Sequence, residues 1–223
     1  KWARYPAISP NGETIAFTYK GNLFSVPADG GVAKQLTYHS SHDYAPVWSK
    51  NGEKIAFSSN RYGNFDVYVM DAKGGPSTRL TYHSNDEKPF SFSADDQEVL
   101  FGAMRLDAAE HRQYPTGSQP ELYNVPVTGG RVGQVLTVPA EDVQVNVDGT
   151  KMVYHDRKGY EDTFRKHHTS AITRDIWSYD PSTGKHKQLT TFKGEDRNPV
   201  FSKDGSAIYY LSEQEGTFNV FSM

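Results

Sequence analysis

Carboxylates, histidines and arginines are the side chains here with the most chemistry to offer, and their spacing is what has to be judged. Counting back three residues from Pro46, Pro89 and Pro199 gives Asp43, Asp86 and Asp196, and the corresponding loop of a fourth copy holds Glu141 and Asp142. Glu87 and Glu195 add to this set, while Arg4, Lys88 and Arg197 temper it. A recurring acid at one register could form a partial carboxylate rim that selects cationic side chains or N-terminal amines of a peptide. It could equally accept backbone N–H groups and fix its own loop, and the sequence weighs towards this second reading. Arg105, Arg112, Arg165 and Arg174 could anchor a peptide carboxylate, with solvated loop charge as the plainer alternative. Ser40, Ser41, His42 and Asp43 carry the residue types of a nucleophilic triad, but neighbouring side chains in extended chain point apart, and we read them as a loop. The eight histidines show no ligand pair at a fixed spacing, so no metal site is assigned. Nucleophile-elbow, phosphate-loop, zinc-protease and calcium-loop patterns are all lacking, and no cofactor is expected.

The elements that must hold these residues are short strands. Between Tyr44 and Thr81 three stretches alternate apolar and polar residues, each bounded by Gly, Asn or Asp, and the chain closes on Leu80 and Thr81. The unit predicts a four-stranded antiparallel meander, with Asn51 and Gly52 expected to take positive φ in its first turn. The turn recurs at Asn11-Gly12, Asp148-Gly149 and Asp204-Gly205, with Asp95-Asp96 standing in once; the Leu-Thr closure recurs at Leu36-Thr37, Leu136-Thr137 and Leu189-Thr190. A four-stranded repeat of this length suits a β-propeller blade. The expected fold is therefore all-β, a propeller of four complete blades plus a partial fifth, over residues 5–37, 44–81, 88–137, 141–190 and 197–223. Pro6, Pro46, Pro89 and Pro199 fall in the first strand of their blades, which fits an inner edge where a missing N–H costs no ladder bond. Segments 105–120 and 157–174 lengthen the connection between second and third strands in blades three and four, and so mark one elaborated face. Arg61 and Asp66 are expected to tie that connection in blade two. The last blade stops after its third strand, from which a larger ring is expected.

Composition narrows the classes. A chain of 223 residues with 36% hydrophobic and 23% charged residues can build a substantial core. A net charge of −3 gives no basic footprint, so no nucleic-acid partner is expected. No apolar run is long enough to insert into a membrane as a helix. Cysteine is missing, which removes disulfides and thiol chemistry.

The repeats of form Pro-x-aromatic/Ile-Ser-x-Asn/Asp-Gly, together with Asn60-Arg61-Tyr62-Gly63-Asn64-Phe65-Asp66 and the Gly-Gly to Leu-Thr closure, resemble TolB-like propeller repeats over the whole chain. Trp2 to Ser9, Tyr114 to Pro120 and Arg165 to Ser170 further resemble the N-terminal propeller of bacterial tricorn-type serine peptidases. That resemblance implies a modular enzyme in which the propeller admits, filters or positions peptide or unfolded protein ahead of PDZ-like and serine peptidase domains. Its catalytic residues lie in the C-terminal part, so none is carried onto this sequence. It also implies an exported or periplasmic protein. Two alternatives stay open: a stand-alone TolB-like interaction propeller, and the propeller of a prolyl-oligopeptidase or dipeptidyl-peptidase type of enzyme.

Overall fold

The computed structural model describes residues 2–105, 119–158 and 172–223, and every regular element among them is a strand. Blade one is β1 (Arg4–Ile8), β2 (Thr14–Tyr19), β3 (Asn22–Pro27) and β4 (Lys34–Gln35); blade two is β5 (Asp43–Trp48), β6 (Lys54–Tyr62), β7 (Asn64–Asp71) and β8 (Ser77–Arg79). Blade three is β9 (Lys88–Phe92), β10 (Glu98–Ala103), β11 (Glu121–Pro126) and β12 (Gly133–Leu136). Blade four is β13 (Ala140–Val145), β14 (Met152–Asp156), β15 (Ile176–Asp180) and β16 (Lys185–Gln188), and the fifth sheet is β17 (Asp196–Phe201), β18 (Ile208–Ser212) and β19 (Asn219–Ser222). Each sheet is an antiparallel meander in sequence order, four of them four-stranded and the last three-stranded, which is the expected all-β propeller architecture. Two compact units divide the chain: Lys1–Ala103 with Tyr123–Gly133, and Met104–Leu122 with Gln134–Met223.

Four of the five first turns are held by the same hydrogen bonds, and in blade four Asn146 Oδ1 takes the serine's place as acceptor of the Lys151 amide (2.9 Å). In the turn after the first strand, Ser9 Oγ donates to Asn11 Oδ1 (2.6 Å) and accepts from the Thr14 amide (2.9 Å). Ser49 and Asn51, Ser93 and Asp95, and Ser202 and Asp204 repeat this pattern. Only the glycine of each Asn-Gly pair has positive φ, as at Gly52 (74°). The Asn instead accepts an amide two residues on, Glu53 N–H to Asn51 Oδ1 at 2.9 Å, so the expectation of positive φ at Asn51 is corrected. The loop is longer than a two-residue hairpin, closing Ser49 N–H onto Lys54 O (3.0 Å), and its Asn serves as an acceptor rather than a left-handed residue. At the blade's other end the threonine of Leu-Thr accepts a buried third-strand amide: Leu23 N–H to Thr37 Oγ1 (3.0 Å), Val67 to Thr81 (2.9 Å), Ile176 to Thr190 (2.9 Å).

Every first strand carries a one-residue bulge against its neighbour. In four of them the bulge holds a non-glycine residue at positive φ: Tyr5, Ala45, Asp142 and Asn198. Three of these precede Pro6, Pro46 and Pro199, so proline sits within the bulge as well as on the sheet's edge. Blade three differs because its proline comes one residue earlier relative to the Ser turn. Pro89 occupies the position of Ala45, and its ring fixes φ near about −65°, which forbids the left-handed conformation there.

The first unit's core is aromatic and aliphatic. Ala56, Val67, Val69 and Leu80 of blade two pack with Phe92, Val99, Phe101 and Tyr123 of blade three, and Leu23 and Leu36 of blade one pack with Ile55, Phe57 and Tyr68. Phe57, Phe92 and Phe101 are fully buried, each contributing about 2 kcal/mol of transfer free energy. Trp48 Nε1–H donates to Ala7 O (2.9 Å), tying blade two to blade one.

Candidate functional site

The predicted acids are best located by the amides beside them. Asp43 N–H donates to Gly21 O (2.8 Å), Glu87 N–H to Phe65 O (2.8 Å), and Asp196 N–H to Arg174 O (3.1 Å). The structural counterpart of Asp43 in blade three is therefore Glu87. Asp86, which counting from the proline selects, lies one position off because Pro89 is displaced.

In the first unit Asp43 and Glu87 are buried, at 0% and 1% exposure. Asp43 pairs with Arg61 (Oδ2 to Nη2, 2.9 Å), whose other Nη donates to Ser77 Oγ. Asp66 pairs instead with Arg79 at 2.7 Å, so Arg61 and Asp66, expected to act on one connection, anchor two separate contacts to the fourth strand and its neighbours. Asp86 is exposed and accepts the Phe65 amide at 2.9 Å. Around these acids lies a patch of rings that sequence reasoning left out. Tyr44 meets Phe65 edge-on with centroids 4.8 Å apart, Tyr5 stands 5.2 Å from Tyr44, and His42 lies edge-on to Tyr44 and Phe65. Tyr5 is 43% exposed, held outward by its left-handed backbone. Burial raises the Tyr44 phenol above its usual range, with a hydrogen bond to Ser58 and the Lys88 charge opposing it, so the ring stays neutral at ordinary pH. The sequence signal was available, since Tyr5 sits at the bulge and Tyr44 just before one, but it shows only once the bulge is known.

The second unit groups its predicted residues into an ionic network. Glu141 accepts from Arg157 Nη1 (2.9 Å) and lies 3.5 Å from His155 Nε2 and 3.8 Å from Arg174 Nε. Burial would raise the Glu141 carboxyl, but His155, Arg157 and Arg174 outweigh it and hold the group down to about 2. His155 Nδ1 accepts the Asn198 amide at 3.2 Å, which leaves the proton on Nε2, facing Glu141. Arg174 Nη1 reaches the buried Glu195 at 2.5 Å, and Asn198 Nδ2 donates to Asp142. Asp196 is 1% exposed, and its carboxyl is raised by burial despite hydrogen bonds with Ser212 and Thr190. Lys158 closes the base of the blade-four connection with Asp175 at 2.5 Å. Arg105 is half-buried at the end of blade three's second strand, and Arg112 and Arg165 lie outside the described residues.

Histidines are engaged locally: His39 Nδ1 accepts the Ser41 amide, His83 Nδ1 the Asn85 amide, and His186 Nδ1 meets Tyr154 Oη at 2.8 Å. The chemistry this arrangement offers is binding: half-exposed rings for apolar groups, with ordered carboxylates and cations beside them.

The family model for the tricorn protease N-terminal beta propeller domain matches residues 1–223. Dipeptidyl-peptidase 5 of Porphyromonas gingivalis is 29% identical over 94% of this chain, and the chain spans 37% of that relative's length. Among solved structures, the tricorn protease superposes with a TM-score of 0.79 at 20% identity, covering 99% of this chain and 21% of that one. A putative TolB from Agrobacterium tumefaciens superposes with a TM-score of 0.77 at 15% identity, covering 100% and 76%.

Proposed function

Because the chain belongs to the tricorn protease N-terminal β-propeller family, we propose that it is the peptide-handling, non-catalytic part of a larger peptidase. In this role it gates, filters or positions substrate for chemistry carried out elsewhere in the protein. The family match over the whole chain carries this reading, and the named activity of the Porphyromonas relative supports the peptidase connection. Peptide side chains rest on the Tyr5, Tyr44, His42 and Phe65 patch, with the exposed Asp86 available to an amine or a lysine. In the second unit Glu141 is held by Arg157, Arg174 and His155, and Asp142 beside it plays the matching electrostatic part. Asp43, Glu87 and Asp196 are buried too deeply to meet a ligand first and shape the loops that carry the others.

The purified chain is expected to leave a peptide library uncut in mass spectrometry while binding a subset of it, with Tyr5→Ala weakening that binding about fivefold. Cleavage by chain free of contaminating protease, or no binding by any library member, overturns the reading.

A second reading places the chain before an α/β hydrolase of the dipeptidyl-peptidase type rather than before PDZ-like and serine peptidase modules. The 29% identity over 94% of the chain favours it. The parent protein's sequence after Met223 separates the two.

A further inference from the structure

Blades one and two share a loop that the Leu-Thr repeat alone does not explain. Leu36-Thr37-Tyr38-His39-Ser40 returns as Leu80-Thr81-Tyr82-His83-Ser84. Both copies are fixed twice over, by threonine accepting a third-strand amide and by histidine Nδ1 accepting an amide two residues on. Each presents its tyrosine outward, Tyr38 at 78% and Tyr82 at 72% exposure. In blade two a cation lies over one face of the exposed ring: the Arg79 guanidinium is 4.5 Å from Tyr82 and 4.8 Å from Tyr62. In blade one the residue in the place of Arg79 is Gln35, which makes the same bond to the threonine carbonyl (2.8 Å) but carries no charge to stack. Tyr38 therefore stands uncovered by any cation among the described residues.

It stands beside a groove of about 420 Å³ between the end of β4 and the 73–77 segment of blade two. Lys34, Lys73 and Arg61 line this groove together with His39, and no acidic side chain does, in a chain whose net charge is −3. Lys34 Nζ uses one donor on Lys73 O (2.7 Å) and keeps the rest for solvent. Arg61 is locked by Asp43 and Ser77 and its Nε is buried, so it forms part of the wall rather than a free cation. Gly74 is required for the wall: a Cβ there would come within 3.1 Å of Leu36 O, and its φ is +87°.

We propose that this groove binds an acidic peptide segment, its carboxylates meeting Lys34 and Lys73 while an apolar side chain lies on Tyr38. Two lysines beside a concave site that lacks acidic side chains, with an unstacked ring next to them, are complementary to carboxylates flanking an aromatic or aliphatic residue. The preceding reading supplies the peptide class. The site is separate from the Tyr5 patch, so Tyr5→Ala leaves it unaltered, and each reading can fail alone.

The probe is the acetylated, amidated pentapeptide Glu-Glu-Phe-Glu-Glu, labelled with fluorescein and titrated into the purified chain. Its glutamine counterpart and inorganic phosphate are run beside it. Saturable binding is expected that weakens about tenfold in Lys34→Gln/Lys73→Gln, weakens about threefold in Tyr38→Ala and falls as salt is raised. In the unsubstituted chain the bound peptide should also shield Lys34 and Lys73 from acetylation, a readout that needs no variant to fold. Equal binding of the glutamine peptide, unchanged affinity in the double variant, or unshielded lysines overturns the proposal. Displacement by phosphate at concentrations below that of the peptide also overturns it, since the site would then belong to a small oxyanion.

Discussion

Asp43 shows what burial makes of a carboxylate. Fully enclosed and paired with Arg61 at 2.9 Å, it is stable only while that cation is present. Arg61→Met should cost about 3–5 kcal/mol in urea unfolding, because the charge left behind has neither water nor partner. Asp43→Asn/Arg61→Met should cost clearly less than the sum of the two single changes; additivity would show that the pair is not coupled. Glu141 makes the corresponding statement about pH. Its native pKa of about 2 lies below the unfolded value of 4.5, so its contribution is complete above roughly pH 4.5 and is lost as pH falls towards 2. Glu141→Gln should therefore lower the urea midpoint at pH 7, and the gap to the unsubstituted chain should narrow as pH falls below about 4.5, with most of it gone by about pH 2. A gap independent of pH would remove the carboxylate's charge from the account. The position of Asp43 was legible, since Pro46 marks its strand, whereas β13 of Glu141 has no proline to count from. The depth of neither was legible, because it depends on the bulge and on which neighbouring residue reaches back.

Within the elements, the turn of blade three tests whether glycine is there for its backbone alone. Asp96 stands where Gly52 stands in blade two and carries φ of 58°. Its carboxylate accepts the amides of Lys50 (2.6 Å) and Asn51 (2.8 Å) from the adjoining blade. Asp96→Gly would relieve about 1 kcal/mol of backbone strain. It would also forfeit two charge-assisted bonds worth more than that together. Thermal unfolding should show a loss of stability in Asp96→Gly and a larger one in Asp96→Ala, which keeps the strain and loses the bonds. A stabilised Asp96→Gly chain would mean the bonds contribute little. Strand order, the four-strand repeat and the place of both long connections were legible because alternation and turn residues recur. The one-residue shift of Pro89 was visible as well, as a spacing of four rather than three before Ser93. Its consequence, that Glu87 replaces Asp86 in register, needed the hydrogen bonds to Phe65. The aromatic patch was readable only once the bulges were known: Tyr5, Tyr44 and Phe65 come from three strands, and the left-handed residues Tyr5 and Ala45 set the two tyrosines beside Phe65.

For residues 1–223 taken alone, association is decided by the edge of the fifth sheet. The fifth sheet runs β17, β18, β19, and β19 pairs with β18 alone among the described residues. Its Val220 is 70% exposed and Met223 43%, and no proline or lysine interrupts Asn219–Ser222. An edge of this kind offers a row of free N–H and C=O groups next to apolar side chains, and protective charge is what usually blunts it. The isolated chain of residues 1–223 should therefore associate through β19, giving a light-scattering mass that rises with concentration. Val220→Lys should hold it at the monomer mass of 25.0 kDa, since a charge at the centre of the edge must be desolvated for a second strand to add. The substitution lies on an exposed side chain, so circular dichroism should be unchanged. If the unsubstituted chain is monomeric across the series, the edge is already too short or too twisted to template a partner. If Val220→Lys associates as readily, the contact lies on another surface.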